Sequence, residues 1–189
     1  MRNIFLAILV ISSLISTAIQ AQEKFEGGLK VGVNVSNFNG RVLDNHEAIS
    51  RTSYHVGLLG EFALTSRWNL QPELLYSEHG FGFRNEILED YSVSLNYLQL
   101  PVLMEYELLN NFSLQSGPQL SYLLKEDYNT ISRRMNYNRF DFSLGFGAEY
   151  ELGSFLFYSR YTVGLNRIYN NSGERNQNRV FQAGVGYIF

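Results

Sequence analysis

The chain has 189 residues and a formal net charge of −3, with 16 Gly, 13 Tyr, 14 Phe and no Cys. This length predicts one domain. The lack of cysteine excludes disulfide scaffolds, thiolate metal sites and thiol nucleophiles, and the slightly acidic charge gives no sign of a nucleic-acid partner. Abundant Tyr, Phe and Gly favour β structure. The mean hydropathy of −0.15 excludes a bundle of transmembrane helices but not a membrane barrel, because barrel strands are only half apolar.

The first residues have the pattern of a secretory signal peptide. Arg2 precedes an apolar run over residues 4–15 that only two serines interrupt, and Ser16, Thr17 and Ala18 follow before residues 19–21. The run is shorter than the roughly 20 residues that a membrane-spanning helix needs, which disfavours an N-terminal anchor. We therefore predict a signal peptide over residues 1–21, cleaved after Ala21, and an exported domain over residues 22–189.

Strict alternation of apolar and polar side chains dominates the rest of the chain. In the first segment Leu29, Val31 and Val33 alternate with Lys30 and Gly32, which is the period of a strand with two unlike faces. The same pattern recurs and predicts an all-β fold. The eight candidate strands cover residues 29–36, 54–64, 68–77, 97–108, 112–122, 140–151, 155–164 and 181–189.

Alternation alone does not say which face points inward. A soluble sandwich or barrel would bury the apolar face and would leave many glycines on a solvated surface. A membrane barrel would turn the apolar face to lipid and fill its narrow interior with small or mutually paired polar side chains. The apolar faces carry almost no charge, and their aromatic residues gather near both strand ends, as at two membrane interfaces. These features favour the membrane barrel over a soluble periplasmic protein.

The connections agree with a membrane barrel. Short turns at residues 64–67, 109–111 and 153–154 alternate with longer polar segments, which are residues 37–52, 82–93, 125–138 and 166–178. This alternation is typical of short periplasmic turns and longer outer loops. The prediction is an eight-stranded antiparallel up-and-down transmembrane β-barrel. All three prolines fall inside predicted strands, so we expect a bulge or a locally broken pair at Pro72, Pro101 and Pro118.

Charged residues occupy the face predicted to line the interior. Buried carboxylates need cationic or hydrogen-bonding partners. We therefore predict a structural polar network that fills the barrel, with a proton or cation pathway as the alternative. Its predicted members are Lys30, Glu61, Glu73, Glu105, Glu149 and Arg160.

Several segments together resemble one bacterial protein family. They are residues 28–34, 70–77, 97–103, 117–122 and 184–189. In this order and spacing they resemble the bacterial outer-membrane β-barrel family labelled porin family or PorT-like. The resemblance implies an eight-stranded barrel without catalytic residues, and a secretion-associated role as one option. Tyr187 and Phe189 end an alternating apolar strand, which resembles the signal read by the barrel assembly machinery; an ordinary final strand is the alternative.

No constellation of catalytic residues or cofactor ligands is evident. Ser77 and His79 share one strand face, but no third orienting group accompanies them, and the three histidines have no metal-binding spacing. Basic, aromatic stretches at residues 133–139 and 166–179 are either solvated loop tips or sites for lipopolysaccharide phosphates or a surface partner. We predict a non-enzymatic structural or interaction module without cofactor in the Gram-negative outer membrane. A small pore, a transporter or a secretion-associated barrel is the rival hypothesis.

Overall fold

The computed structural model describes residues 25–39, 47–84, 91–128, 138–166 and 177–189, and these residues form eight strands. The strands are β1 (Phe25–Asn39), β2 (Glu47–Ala63), β3 (Trp68–Arg84), β4 (Tyr91–Leu109), β5 (Phe112–Tyr128), β6 (Phe140–Leu152), β7 (Phe155–Gly164) and β8 (Gln177–Ile188). In the described part of the chain, no helix is long and apolar enough to cross a membrane. The predicted signal peptide lies outside the described residues.

The strands close into a barrel. Each strand pairs antiparallel with the next, and β1 also pairs with β8, so that Val31 lies opposite Val56 on one side and Val185 on the other. Because the described strands close on themselves, none of them forms a free edge of the sheet. A free edge would leave unpaired backbone groups in the bilayer, which is energetically costly. The predicted eight-stranded antiparallel up-and-down barrel is confirmed.

The apolar face of the barrel points outward. Along β4, Leu98, Leu100 and Met104 are 37%, 47% and 39% exposed, whereas Gln99 and Leu103 between them are 0% and 1% exposed. A soluble barrel would reverse this pattern, because its apolar side chains would form the core. The orientation predicted from the glycine-rich and charge-bearing face is therefore correct.

Aromatic residues form two belts on the outer surface. The ring centroids of Trp68 and Tyr106 lie 4.8 Å apart beside the short turns, and those of Tyr122 and Phe140 lie 5.0 Å apart toward the opposite end. Strands rise about 3.4 Å per residue and tilt by about 40° in such barrels, so the step from Phe140 to Tyr150 on β6 spans roughly 25 Å of the barrel axis. This height matches the apolar band of an outer-membrane barrel, with aromatic girdles at both interfaces.

Three short turns join the strands at one end. Residues 64–67 connect β2 to β3, and the Thr65 hydroxyl accepts a hydrogen bond from the backbone N–H of Trp68 at 3.1 Å. The other two turns have two residues each, and each contains one left-handed residue, Asn111 with φ 69° or Gly153 with φ 63°. Asn and Gly tolerate this conformation best. The predicted short turns are confirmed, and in this family of folds they face the periplasm.

The strands extend further at the opposite end than the alternation predicts. Parts of all four segments predicted as loops are strand, with pairs such as Asn39 with Gln177 and Glu47 with Arg84. The assignment of these parts to loops was wrong. The physical reason is that strand residues beyond the bilayer have water on their outer side, so their sequence no longer needs to alternate. Apart from residues 138 and 166, the remaining loop residues, including 133–137 and 167–176 of the basic stretches, lie outside the described residues.

The prolines interrupt the ladder without shifting it. Among the described pairs of β3 and β4, Pro72 lies opposite Val102, and the next pair is Leu75 with Gln99. The ladder of β4 and β5 is likewise interrupted beside Pro101, and Pro118 lies within that interruption. The register is the same on both sides of each gap. The expected locally broken pairs are therefore confirmed, while the register shifts occur elsewhere, between Ser50 and His55 for example.

Candidate functional site

Four charged side chains from four strands meet in the middle of the barrel. Arg160 on β7 donates to both carboxylate oxygens of Glu73 on β3, at 2.8 and 2.7 Å. Lys30 on β1 donates to Glu73 at 2.7 Å and to Glu149 on β6 at 3.2 Å. We call Lys30, Glu73, Glu149 and Arg160 the central cluster. Its two cations and two carboxylates balance, and its geometry includes the bidentate pairing that makes Arg–carboxylate contacts strong.

Neutral side chains satisfy the remaining hydrogen-bonding groups of the central cluster. Gln71 accepts from Lys30 at 2.8 Å, and Gln115 accepts from Arg160 at 2.7 Å while donating to Glu149 at 3.0 Å. The Lys30 ammonium also lies 4.3 Å from the ring centroid of Tyr158. Lys30 and Arg160 are each only 1% exposed. Buried charges are tolerated when they are both paired and hydrogen-bonded, as they are here.

Two predicted members of the network lie outside the central cluster. Glu61 is half-buried on β2 and accepts a hydrogen bond from Asn69 at 2.5 Å. Glu105 on β4 is 1% exposed, and its Oε1 atom has no hydrogen-bond partner among the described residues. The structure therefore brings together Lys30, Glu73, Glu149 and Arg160, and leaves Glu61 and Glu105 on the periplasmic side of them.

A layer of uncharged polar groups lies next to the central cluster. His55 Nδ1 is 2.7 Å from the Asn34 amide oxygen, and His55 Nε2 is hydrogen-bonded to the Tyr158 hydroxyl. An amide oxygen can only accept, so Nδ1 carries the ring proton and Nε2 accepts from Tyr158. Gln182 also donates to the Asn34 oxygen, at 3.1 Å. The same chain of contacts thus continues from the charged cluster toward the outer end.

Two glycines leave room for this layer. A Cβ atom on Gly184 would lie 2.7 Å from the Tyr158 hydroxyl, and one on Gly32 would lie 2.7 Å from His55 Cε1. Both distances are too short for real Cβ contacts. The glycine-rich inner face therefore leaves space for the bulky polar side chains opposite it.

Several residues of the interior were missed from the sequence, because only charged residues were considered there. They have the same strand parity as the predicted charges, and this signal would have identified them. They are Asn34, Gln71, Gln115, Tyr158 and Gln182.

The Ser77 and His79 pair has no arrangement suited to catalysis. Ser77 accepts a hydrogen bond from Asn34 at 3.0 Å. The two ring nitrogens of His79 face the amide groups of Gln99 and Asn178, at 3.2 and 3.0 Å. Both side chains are buried. Across the described ranges, no group of three or more His, Asp or Glu side chains could hold a metal ion.

The predicted assembly signal lies at the periplasmic end of β8. Tyr187 is 46% exposed on the lipid-facing side, with its ring centroid 5.4 Å from that of Phe155. Phe189 is 73% exposed, and its backbone N–H donates to the Gly27 carbonyl at 3.0 Å. Phe189 is thus hydrogen-bonded to β1, at the junction of β1 and β8 that closes the barrel.

Comparison with known proteins identifies the family. The model of the outer membrane protein beta-barrel domain matches residues 20–170. The chain belongs to this outer-membrane β-barrel family. No curated protein matches the chain. The family places this barrel in the Gram-negative outer membrane, with the exposed apolar band in lipid. The narrower PorT-like label stays a prediction.

Solved barrels of the same fold support the assignment. The chain is similar to the attachment invasion locus protein Ail of Yersinia pestis, with a TM-score of 0.58 and 12% identity over 88% of this chain and 99% of that one. Neisserial surface protein A gives a TM-score of 0.60 and 10% identity over 86% of this chain and 97% of that one. For Ail in complex with the heparin analogue sucrose octasulfate, the TM-score is 0.54 and the identity is 16%, over 88% of this chain and 99% of that one. At these identities the likeness concerns the fold of this family member.

Proposed function

We propose that this outer-membrane barrel is a non-enzymatic structural and interaction module whose interior is closed by its polar network. The observation that carries the proposal is the central cluster, in which side chains from β1, β3, β6 and β7 bond to one another across the lumen. Eight strands enclose an interior just wide enough for side chains, and these side chains fill it.

Further layers support a closed interior. The cations Lys30 and Arg160 are buried, so water does not reach them from either end. Toward the outer end, the inner face carries the buried apolar residues Leu95, Leu123 and Val180. A continuous aqueous path would have to cross both the charged cluster and this apolar layer.

Planar-bilayer recording tests the closed interior. We expect the refolded wild type to give no steady channels. The double variant Glu73→Ser with Arg160→Ser removes one bidentate pair without changing the net charge, and should admit small ion currents because both bulky side chains are gone. Heat-modifiable gel migration confirms that each variant is folded. Steady wild-type channels would reject the closed interior in favour of a small pore.

The non-enzymatic assignment rests on the inaccessibility of the candidate catalytic groups. Ser77 is 0% exposed and His79 is 5% exposed, and both are hydrogen-bonded to amide side chains inside the barrel. A lipid substrate in the outer leaflet would not reach them. Lipid hydrolysis by the purified barrel that is lost in Ser77→Ala would contradict this part of the proposal.

A rim of cations supports lipopolysaccharide as a partner. Arg139 and Arg179 are exposed near the outer aromatic belt. Arg139 also donates to the Tyr122 hydroxyl at 3.4 Å. Guanidinium groups bind phosphates through paired, charge-assisted hydrogen bonds, and the phosphates of lipopolysaccharide lie at this level of the outer leaflet. Ail, a barrel of the same fold, has been solved with a sulfated ligand.

Unfolding in vesicles of defined lipid tests this partner. We expect lipopolysaccharide to stabilise the wild type over phospholipid alone, and the variant Arg139→Gln with Arg179→Gln to lose most of that gain. Arg67→Gln, at the exposed periplasmic turn, is the matched control and should retain it. Sucrose octasulfate serves as a soluble polyanion probe of the same arginines. Equal loss in the control variant would count against the outer rim.

We also propose that residues 1–21 direct export and that Tyr187 and Phe189 are read by the barrel assembly machinery. The support is the lipid-facing position of Tyr187 and the attachment of Phe189 to β1. Phe189→Ala should reduce the amount of barrel assembled in cells while leaving refolding of the purified protein unchanged. Normal assembly of this variant would indicate that β8 is an ordinary final strand and carries no assembly signal.

A further inference from the structure

A small cavity lies inside the barrel toward its outer end, on the far side of the central cluster from the short turns. Its volume is about 10 Å³, which is room for one water-sized particle. We call it the outer cavity. Its walls come from β3 and from β5 to β8, and the polar side chains that line it are those of His79, Gln119, Asp141, Ser143, Thr162 and Asn178.

Two of the lining side chains carry buried oxygens that lack a partner. Gln119 and Thr162 are each 4% exposed, and neither Gln119 Oε1 nor Thr162 Oγ1 has a hydrogen-bond partner among the described residues. The amide nitrogen of Gln119 donates to the Ser121 hydroxyl at 3.3 Å, so only the oxygen end of this amide is left for a ligand. An unsatisfied buried acceptor is costly. Both oxygens therefore favour a ligand that donates hydrogen bonds or carries positive charge.

Asp141 adds a carboxylate to the outer cavity. It is 9% exposed, and none of the salt bridges in the described part of the chain includes it. His79 lines the same cavity, but its two ring nitrogens are engaged by the amides of Gln99 and Asn178, at 3.2 and 3.0 Å. A buried carboxylate without a counter-charge is costly. A water molecule would not supply that charge, whereas a cation would.

The size of the outer cavity and its oxygen atoms indicate the class of cation. Carboxylate, amide and hydroxyl oxygens are hard ligands. Ca²⁺ usually takes several carboxylates and Mg²⁺ usually keeps several of its waters, but the outer cavity has one carboxylate and no room for such waters. Carbonyl-type oxygens can replace the hydration shell of a monovalent cation. The site therefore suits a single dehydrated alkali-metal ion.

We propose that the outer cavity binds one alkali-metal cation, coordinated by the carboxylate of Asp141 and by the unpartnered oxygens of Gln119 and Thr162. The ion joins β5, β6 and β7 on the inside of the barrel. This site is separate from the central cluster and from the exposed arginines of the outer rim, so it goes beyond the proposed function.

Thermal unfolding of the folded protein in non-ionic micelles tests the site. Sodium chloride is compared with choline chloride at equal ionic strength in a mildly alkaline buffer, since choline is too large for the cavity. A ligand that binds only the folded state stabilises it, so sodium should raise the midpoint of the heat-modifiable gel shift in a saturable way. Asp141→Asn should raise the sodium concentration that gives half of this effect by about tenfold or more, and Thr162→Val by about threefold to tenfold.

The matched control is Asp127→Asn at the outer end of β5, which makes the same chemical change on a half-exposed side chain outside the outer cavity. It should keep the sodium dependence of the wild type. Gel migration before heating verifies that each variant is folded, and Thr162→Val alone decides the test if Asp141→Asn does not fold.

Three results would overturn the proposal. The first is equal stability of the wild type in the two salts, as expected for a cavity that holds only water. The second is a sodium dependence that the cavity variants retain in full or that the control loses equally. The third is magnesium chloride stabilising the wild type as much as sodium chloride does at equal ionic strength.

Discussion

The central cluster and the inner face on its periplasmic side contain the same kind of side chain in opposite circumstances. In the central cluster, Glu73 and Glu149 accept hydrogen bonds from Lys30, and Glu73 is also held by Arg160 at 2.7 Å. On the periplasmic side of the cluster, Glu105 is just as buried, but its Oε1 atom has no hydrogen-bond partner among the described residues. Strand parity turned all three glutamates inward. The position of the two cations distinguishes the carboxyl groups that are paired from the one whose Oε1 atom lacks a partner in the described part of the chain.

The largest effect is expected for Arg160→Met. Among the described residues, the variant leaves Glu73 with Lys30 as its one cationic partner and frees Gln115. Breaking a buried pair by removing one member costs about 3–5 kcal/mol. The free energy of unfolding in urea, followed by gel migration in detergent, measures it. A loss below about 1 kcal/mol would show that the central cluster is not what stabilises the barrel.

A second substitution isolates the charge. Adding Glu73→Gln to Arg160→Met removes the carboxylate that the first change left poorly compensated, so part of the lost stability should return. No recovery would mean that Arg160 acts through packing rather than through its ion pair.

A smaller loss is expected for Glu149→Gln. Lys30 would keep Glu73 at 2.7 Å and Gln71 at 2.8 Å, so one charged contact is weakened rather than a whole pair broken. Hydrogen bonds to charged groups contribute about 1.5–3 kcal/mol, which bounds the loss of unfolding free energy. The same urea titration measures it, and stability equal to the wild type would contradict the assignment of Glu149 to the cluster.

Glu105→Gln should raise the free energy of unfolding instead of lowering it. The substitution replaces a buried carboxyl group whose Oε1 atom has no hydrogen-bond partner among the described residues, and should raise the unfolding free energy by about 1 kcal/mol. Glu149→Gln is its matched control, since both change a buried glutamate to glutamine. If both variants lose stability equally, the contrast between the two regions is wrong.

The smallest effect is expected for Lys125→Met. Lys125 and Asp127 are 2.7 Å apart, the same distance as Lys30 and Glu73, but their side chains are 69% and 48% exposed. Exposed pairs contribute about 0–1 kcal/mol, because water and salt screen them. Comparing Lys125→Met with Lys30→Met in the same urea titration separates the effect of burial from that of distance. Similar losses in the two variants would contradict the role assigned to burial.

Sequence-based prediction worked for features that depend on neighbouring residues and failed for contacts between distant segments. The six charged residues of the predicted network lie on the inner-facing side of their strands, and alternation carries that information locally. The partners of these residues were not predicted, because a local pattern does not report contacts between distant segments. Lys30 and Glu149, for example, are 119 positions apart in the chain. The amides Gln71 and Gln115 were missed, although they have the same parity. The strands were predicted to be too short at their outer ends, because the alternation of apolar and polar residues ends where the strands leave the lipid.

The sequence by itself determined the strands, the lipid-facing side and the short turns. These follow from period-two patterning, aromatic belts and turn residues, each of which acts over a few neighbouring positions. The tertiary structure decided which inner residues meet. Barrel closure brings the central-cluster residues of β1, β3, β6 and β7 to the same height along the barrel axis. Pairing across the lumen depends on the register of the closed sheet, and no local pattern in the chain encodes that register.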